Sequence, residues 1–398
     1  MSLLTRNNAI LITIASIPFL NYGIDIGFSL KPYMIFVVIS MLILPFSGSV
    51  NKISMEEFLY LFFLFYYLST SLWSSYPEMS IKMVILMLIN IVCFLWIRIN
   101  LSFVLSKYGL KKCSEVFVKV NVCLYTISIV FYLYGLTFFM KGAAQEGAII
   151  GTMLVDKSIP RFVGFSFDPN MATIFLSLPL FLSMYINKGK FSLQTLFFLV
   201  CILITWSRAA VITLIIIFVL RALHMILTNN RGRLKKIVGV LTTCIVLFFI
   251  FEFFSEHGLI GEMLDKRIDG IQRASGRFDA WENGIEVFMK QPVFGVGIYS
   301  FYLWNVNLFD DAHHLHNTYL DVLVEGGVVG ISLFVIAVSL TFIRLIFSSN
   351  KTLSLYFSYF WLFNLIMISS LTAISHEGFI LNFVICALLL SRSKEFIK

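Results

Sequence analysis

Long apolar segments, separated by short polar ones, recur along almost the whole chain. A helix needs about 20 apolar residues to cross the hydrocarbon core of a bilayer, and charged residues and Pro, Gly or Asn clusters divide the sequence into segments of roughly that length. We predict transmembrane helices near 9–25, 33–47, 57–73, 81–98, 116–139, 167–186, 191–206, 209–226, 237–254, 327–346, 353–371 and 377–391. This pattern is typical of an all-α polytopic membrane protein with about 12 transmembrane helices.

Two polar segments are too long to be simple connections between helices. The smaller lies near 141–165, and the larger, 255–326, is rich in charged residues, glycine and asparagine. The larger segment also contains His257, His313, His314 and His316, four of the six histidines. We therefore divide the chain into 1–254, with nine helices and the smaller loop, a catalytic loop at 255–326 containing short helices, and 327–398, with three more helices.

Composition and charge fit this picture and exclude other classes of protein. Hydrophobic residues make up 59% of the 398 residues and charged residues only 13%, so no soluble catalytic domain is expected. The net charge of +8 comes from short Lys and Arg clusters between apolar segments, which indicates membrane orientation rather than nucleic-acid binding. The positive-inside rule then places both termini in the cytoplasm and both long loops outside it. The six cysteines have no metal-like or disulfide spacing, and the first apolar segment lacks a small-residue cleavage site, so we expect it to be retained.

The string from His316 to Gly330 has the clearest chemical pattern. Leu320, Leu323 and Val324 share one face at helical spacing, which places His316 on the first turn of a helix at the membrane surface. An imidazole there can accept a proton from a sugar hydroxyl near neutral pH. Gly327, with Gly326 and Gly330, would let this helix end and the next one begin with close backbone contact. The structural alternative is a polar cap where the chain enters the membrane.

Several arginines could bind a diphosphate, because a guanidinium group pairs well with phosphate oxygens. Arg277 and Arg273 lie in the long loop, although both could instead pair with Asp265, Asp269 or Asp279 on a solvated helix. Arg208 interrupts two apolar segments at a tight turn on the same side, where ionisable groups are usually functional, unless it only extends to the interface.

The string that closes the smaller loop runs from Arg161 to Asn170. Arg161 is a further candidate anion contact, whereas Asp168 is expected to cap the next helix with Pro169 in its first position. In the last external turn, Ser375, His376 and Glu377 could contribute a polar pair to the site, but capping of the final helix explains them better.

Taken together, these strings resemble the O-antigen ligase and polymerase superfamily of bacterial envelope glycan assembly. The ligase pattern consists of His, then Asn, Ser or Gln, nine residues, and Gly-x-x-Gly. The matching residues are His316, Asn317, Gly327 and Gly330, with the Ser-Arg turn at Arg208, the Gly-Arg of Arg277 followed by Trp281, and the Pro-x-x-Gly-x-Gly from Pro292 to Gly297. The resemblance covers about 160 to 345, while the N-terminal helices match only in hydropathy.

The resemblance implies a metal-independent glycosyltransferase with a GT-C-like membrane fold and no cofactor. It would take glycan from an undecaprenyl diphosphate donor at the periplasmic face of the bacterial inner membrane. His316 would activate the acceptor hydroxyl, and Arg208 and Arg277 would bind the donor diphosphate and stabilise the leaving group. Further substrate-binding residues would be Arg161, Arg273, Asn317, His313 and Glu325. The other expected partners are membrane lipids and a chain-length regulator.

The superfamily contains two activities with different acceptors. Polymerases transfer the growing chain to the next lipid-linked repeat unit, and ligases transfer the finished chain to the lipid A core. The string from Arg161 to Asn170 and the Phe-rich composition are more similar to polymerases. A lipid-linked glycan flippase is an alternative from another class, but flippases place ionisable groups near the bilayer midplane within repeated halves, and this sequence shows no repeat. A structural partner of a glycan-export complex also remains an alternative.

Overall fold

The computed structural model describes residues 10, 12–25, 29–43, 53–228 and 277–396. Within these ranges the chain is mostly helical, and two small antiparallel sheets interrupt the helices. The helices are α1 (Pro32–Ile43), α2 (Met55–Ser69), α3 (Pro77–Met140), α4 (Pro169–Ile186), α5 (Leu193–Leu203), α6 (Arg208–Thr228), α7 (Arg277–Lys290), α8 (Phe301–Phe309), α9 (Thr318–Ile346), α10 (Ser358–Met367) and α11 (Glu377–Phe396). The strands are β1 (Ile24–Asp25), β2 (Ser29–Leu30), β3 (Ile149–Ile150), β4 (Met153–Asp156) and β5 (Ile159–Phe162).

In the part of the chain that the structure describes, four helical segments are long and apolar enough to cross a membrane. They are Pro77–Met140, Pro169–Ile186, Thr318–Ile346 and Leu353–Ser370, the last of which includes α10. The structure therefore supports a multi-pass helical membrane protein. The count of about twelve helices stays a prediction, and the helix predicted at 237–254 lies outside the described residues.

The contacts between helices distinguish two ends of the bundle. We call the end at which His316 lies the histidine end. The opposite end, where Lys107, Lys111 and Lys112 lie, is the lysine end. At the lysine end Ser54 and Glu57 form a capping box at the start of α2, and Glu57 also pairs with buried Arg98 of α3. Arg344, near the end of α9, pairs with Glu56 at 2.5 Å. These ion pairs join α2, α3 and α9 at the lysine end.

The predicted break between 98 and 116 is confirmed, because α3 consists of two helical arms that meet at Gly109, whose φ of +73° and ψ of 159° are not helical. One predicted helix boundary is wrong. Helical structure near the N-terminus stops at residue 16 instead of 25, because the chain then forms a 3-10 turn at Leu20–Tyr22 and the β1–β2 hairpin.

The smaller of the two predicted loops, near 141–165, is an ordered sheet. Strands β3, β4 and β5 form an antiparallel meander, with Leu154 opposite Arg161 and Asp156 opposite Ile159. The sheet packs on the second half of α3, where Tyr132 donates to the carbonyl of Pro160 at 3.0 Å and Thr152 donates to the carbonyl of Ser128 at 2.6 Å. The meander is therefore fixed on the bundle at the histidine end.

Candidate functional site

The turn that precedes Arg208 is held by the meander. After α5 ends at Leu203, the chain turns through Thr205 and through Trp206, whose φ is +54°, and α6 begins at Arg208. The amide of Phe162 donates to the carbonyl of Ile204 at 3.0 Å. Because a non-glycine residue with positive φ needs support from its surroundings, this contact helps to fix the direction in which α6 starts.

Arg161 supports the same turn with its side chain. Its Nε donates to the carbonyl of Thr205 at 3.1 Å, and one terminal nitrogen pairs with Asp156 at 2.6 Å. The side chain is buried. Arg161 thus links the meander to the turn before Arg208, and this positioning contact was not visible in the sequence. Its predicted anion contact stays a prediction.

The Asp168-Pro169-Asn170 string connects α4 to the same turn. Asp168 caps α4 as predicted, because one carboxylate oxygen accepts from the amides of Asn170 at 2.7 Å and Met171 at 3.0 Å, with Pro169 in the first turn. The side chain of Asn170 accepts from the Ser207 hydroxyl at 2.6 Å. This string therefore positions the residue next to Arg208.

Arg277 is the first residue of α7 and lies among these charged groups. Burial is the largest influence on its pKa and lowers it, the Asp168 carboxylate raises it, and the positive charges of Arg208 and Arg161 lower it again. Charges have such effects only over short distances. These influences indicate that Arg277 lies near Arg208 and Arg161 and near the carboxylates of Asp168 and Asp156. The three cations outnumber the two carboxylates, so the group can attract an anion.

Trp281 lies one helical turn after Arg277 and holds the backbone next to His316. Its indole nitrogen donates to the carbonyl of Leu315 at 2.8 Å. Leu315 is fully buried, and the next residue, His316, has a positive φ of +48°. The spacing of Arg277 and Trp281 thus lets one helix contribute a cation to the site and fix the position of the histidine.

His316 can be reached from outside the molecule and lies next to the cationic group. Burial by surrounding protein atoms lowers the pKa of its imidazole to about 4, and the positive charge of Arg277 contributes in the same direction, whereas Asp168 opposes it. The ring is therefore neutral near pH 7 and has a lone pair available for a proton. A neutral histidine beside arginines can serve as a base next to a bound anion.

One prediction about His316 is wrong. We expected it on the first turn of a helix, but α9 begins at Thr318, and Asn317 is its N-cap, with Oδ1 accepting from Tyr319 at 3.1 Å and Leu320 at 3.4 Å. The cap role thus belongs to Asn317, and the side chain of His316 is not used for capping. Thr318 fixes this helix start through its hydroxyl, which donates to Leu371 at 2.6 Å.

Gly327 of the Gly-x-x-Gly string and Gly295 of the Pro-x-x-Gly-x-Gly string pack backbone against backbone, as predicted for Gly327. Within α9, Gly327 has φ +66° and ψ −169°, a conformation that is essentially restricted to glycine, and the helix changes direction there. A Cβ atom at Gly327 would overlap the carbonyl of Val293, and one at Gly295 would overlap the backbone of Glu325. Both glycines therefore hold the loop segment 292–297 against the start of the membrane-spanning part of α9.

Glu325 stabilises the same junction. Its buried carboxylate accepts from the Tyr67 hydroxyl and from the amides of Tyr299 at 2.8 Å and Phe301 at 3.3 Å. These contacts anchor the start of α8 between α2 and α9. Substrate binding by Glu325, which we expected from the sequence, stays a prediction, and its described contacts give it a supporting role.

His314 forms an aromatic surface on another side of His316. Its ring stacks on Tyr302 at 4.6 Å and lies 6.0 Å from the ring of His316. Burial lowers the pKa of His314. The sequence did not single out Tyr302, because a lone tyrosine in a polar loop has no distinguishing pattern. An aromatic surface beside a base is suited to packing against the apolar face of a sugar ring.

The remaining predicted residues lie in different places. His313 is exposed and pairs with Asp311, so it faces solvent. His376 caps α11, because its Nδ1 accepts from the amide of Phe379 at 3.4 Å, and Glu377 pairs with Lys31. Capping of the final helix is therefore confirmed. Arg273 lies outside the described residues.

Comparison with known proteins tests the resemblance found in the sequence. A search of curated proteins gives no significant match. Residues 193–335 match the model of a protein family described as O-antigen ligase. The matched segment extends from α5 into α9 and contains Arg208, Arg277, Trp281 and His316, the residues that surround the candidate site. The match supports the resemblance of this segment to the O-antigen ligase and polymerase superfamily.

Proposed function

We propose that this protein is a membrane glycosyltransferase that polymerises oligosaccharide repeat units linked to undecaprenyl diphosphate. One observation carries the proposal: neutral His316 lies beside Arg277, which shares its surroundings with Arg208 and Arg161. A base next to a group of cations would result, and three of these residues, His316, Arg277 and Arg208, belong to the segment that matches the O-antigen ligase family.

His316 would act as the general base. As the acceptor sugar approaches, its hydroxyl gives its proton to the imidazole, and the oxygen forms a bond to the anomeric carbon of the donor. The bond from that carbon to the diphosphate breaks, and the diphosphate leaves with the electron pair. The proton on His316 then passes to water or to the leaving diphosphate, which restores the neutral ring.

Arg208 and Arg277 would bind the donor diphosphate and stabilise the charge that develops on it. Their guanidinium groups supply fixed positive charge, so the proposed mechanism needs no metal ion and no other cofactor. Arg161 would add to the positive field while it supports the turn before Arg208. Arg273, Asn317, His313 and Glu325 would complete the substrate-binding surface, with Asn317 and Glu325 acting mainly by fixing the backbone.

The proposed location is the bacterial inner membrane, with both termini in the cytoplasm and the histidine end at the periplasmic face. The basic side chains Lys107, Lys111 and Lys112 lie on α3 at the lysine end, as the positive-inside rule requires for a cytoplasmic end. A donor with its diphosphate at the outer membrane surface would then meet the arginines directly. Membrane lipids and a chain-length regulator are the other proposed partners.

We prefer polymerase activity because the Asp168-Pro169-Asn170 string belongs to the proposed site. This string is part of the segment from Arg161 to Asn170, which is more similar to polymerase sequences. Asp168 influences the pKa of both Arg277 and His316, and Asn170 holds Ser207. The second candidate is an O-antigen ligase that transfers the glycan to the lipid A core, which the description of the matched family favours.

A His316→Ala variant in cells that lack the native gene tests the proposal. We expect the transfer rate to fall about 100-fold or more, because a positioned general base commonly contributes that much. Surface glycan resolved on gels should lose its long chains, with single repeat units still attached to the lipid A core for a polymerase. Long chains left on undecaprenyl diphosphate would identify a ligase instead.

His224→Ala is the matched control. His224 is exposed on α6, outside the group of residues around His316, and its removal should leave the glycan ladder unchanged at equal protein abundance. An unchanged ladder in the His316→Ala variant, again at equal abundance, would contradict the enzymatic proposal.

A further inference from the structure

Helix α7 has an apolar face that the site does not use. Phe278, Ile285 and Met289 are 56%, 46% and 68% exposed, and their spacing of seven and four residues places them on one face of the helix. The opposite side is buried through Ala280, Gly284 and Val287, as the packing of α7 requires. We call the exposed set of Phe278, Ile285 and Met289 the apolar face of α7.

The polar groups of α7 lie to one side of this apolar face. Asn283 donates to Asn305 at 2.8 Å, and Asp279, Glu282 and Glu286 are exposed. At 100° per residue, these four residues occupy one continuous arc of the helix, with Glu282 at its border next to the apolar face. A helix with a charged side next to an exposed apolar side is typical of helices that lie in the plane of a membrane interface.

The apolar surface continues past the end of α7 towards the membrane-spanning helices. Val293 and Phe294 are 53% and 57% exposed. The carbonyl of Pro292 accepts from the amide of Val328 at 2.9 Å, directly after the bend in α9, and Val328 is itself half exposed. The C-terminal end of α7 is therefore fixed at the level where α9 enters its apolar segment.

A tryptophan after the end of α2 indicates the same depth relative to the membrane. Trp73, which follows α2, donates from its indole nitrogen to the carbonyl of Gly295 at 3.0 Å, and its ring lies 6.2 Å from that of Phe294. Its neighbour Leu72 is 85% exposed. Tryptophan is enriched at the boundary between hydrocarbon and headgroups, so this cluster marks the membrane surface at the histidine end.

We propose that α7 lies in the plane of the membrane surface, with Phe278, Ile285, Met289, Val293 and Phe294 inserted into lipid. The occupant of this surface is therefore the bilayer, because the exposed residues are continuous with the lipid-facing ends of α2 and α9. Left in water, so many adjacent large apolar side chains would be an unusual surface for a protein. Asp279 and Glu286 then face the headgroups and water.

Insertion of α7 has a consequence for the site, and this part rests on the proposed function. Arg277 and Trp281 lie on the first turns of α7. A helix anchored in the surface keeps Arg277 at the depth of the headgroups, where the diphosphate of a lipid-linked donor lies. Through Trp281 and Leu315 the same anchoring would set the height of His316.

Photocrosslinking tests the insertion without any substrate. The full-length protein, with a benzophenone amino acid in place of Ile285 or Met289, is reconstituted into vesicles of phosphatidylethanolamine and phosphatidylglycerol and irradiated. We expect lipid adducts at both positions, detected by mass spectrometry, at yields several-fold higher than at the control positions Asp279 and Glu286. Because no transfer reaction is measured, the result does not depend on the proposed function.

Other outcomes would overturn the proposal. Crosslinks from positions 285 and 289 to peptides of residues 229–276, or to a second copy of the chain, would show that protein covers the apolar face. Equal lipid yields at all four positions would show that α7 is not oriented by the membrane. As a further test, Met289→Asp should reduce the lipid yield at position 285 several-fold, whereas Glu286→Asp should not, and equal yields in both variants would also contradict insertion.

Discussion

At the scale of single residues, the protonation state of His316 decides whether the proposed base can work. Burial and the charge of Arg277 lower the pKa of its imidazole to about 4, so it is neutral above that pH and charged below it. An unperturbed histidine would change charge near pH 6.5. The difference between these two values gives a direct test of the environment that the structure assigns to His316.

We predict that kcat/KM of the purified enzyme stays nearly constant as the pH is lowered from about 7 to about 5 and falls as the pH approaches 4. Protonation removes the lone pair that accepts the hydroxyl proton, and kcat/KM reports the ionisation of the free enzyme. The measurement is a pH profile of transfer with the lipid-linked donor. A fall centred near pH 6.5 would contradict the lowered pKa of His316.

Trp281 gives a second prediction, about positioning. Trp281→Phe keeps most of the ring but removes the hydrogen bond to Leu315, which is worth about 0.5–1.5 kcal/mol. If that energy holds His316 in place, kcat should fall roughly 2- to 10-fold, while KM for the donor changes little. Steady-state kinetics with purified variants measures both constants.

Trp361→Phe is the matched control for that substitution. Trp361 is fully buried and donates from its indole nitrogen to the carbonyl of Val338 at 3.0 Å, between α10 and α9. Its loss should lower the melting temperature but leave kcat nearly unchanged. Equal effects of the two variants on kcat would show that Trp281 has only a structural role.

At the scale of elements, the site depends on how the segment 292–297 docks against α9. The bend at Gly327 separates the arm of α9 that begins next to His316 from the arm that continues into the membrane region. Gly295 and Gly327 allow the two backbones to touch, and the Glu325 carboxylate then holds the start of α8. This contact accounts for Gly295 and Gly327, whereas Gly297 lies against Ser74 and Gly330 against Tyr66.

We predict that Gly327→Ala destabilises the protein by about 3 kcal/mol, since the backbone conformation is nearly restricted to glycine and the added methyl overlaps Val293. The melting temperature of the purified variant should fall clearly. Gly326→Ala is the matched control, because its Cβ would meet the rings of Tyr67 at 3.3 Å and Tyr66 at 3.8 Å rather than backbone, and its φ is not positive. A similar loss in both variants would contradict the special role of Gly327.

Local features of the site could be predicted from the sequence, whereas contacts between distant segments could not. The cap at Asp168, the turn before Arg208 and the glycine bend each leave a local signature, because backbone geometry restricts which residues fit. The bond from Trp281 to Leu315 and the contacts of Arg161 with Asp156 and Thr205 have no such signature. They depend on tertiary packing, which periodicity does not encode.

The error in the N-terminal helix boundary has the same origin, because the apolar pattern continues to residue 25 although the chain there forms a 3-10 turn and short strands. The break between 98 and 116, in contrast, has a local signature, since Gly109 takes a non-helical conformation among the lysines. In the β4–β5 hairpin, burial alternates only along Met153–Asp156, whereas all of Ile159–Phe162 is buried, so periodicity gave no clear strand signal.

At the scale of the whole molecule, the proposed reaction requires that the histidine end and the lysine end face opposite sides of the membrane. Ser158, in the exposed turn of the β4–β5 hairpin, marks the histidine end, and Ser349, in the exposed turn after α9, marks the lysine end. Neither side chain contributes to the candidate site. A cysteine at each position therefore reports orientation without disturbing the chemistry.

We predict that Ser158→Cys reacts with a membrane-impermeant maleimide from the outside of the inner membrane, and that Ser349→Cys reacts only after the membrane is permeabilised. The unmodified protein, with its native cysteines, gives the background. Reaction of both variants from the same side would contradict the placement of the histidine end and the lysine end on opposite sides of the membrane. Reaction of Ser349→Cys alone from outside would place the histidine end in the cytoplasm. His316 and the arginines would then face the side opposite to a periplasmic donor, so the orientation and the proposed reaction can be tested by the same labelling.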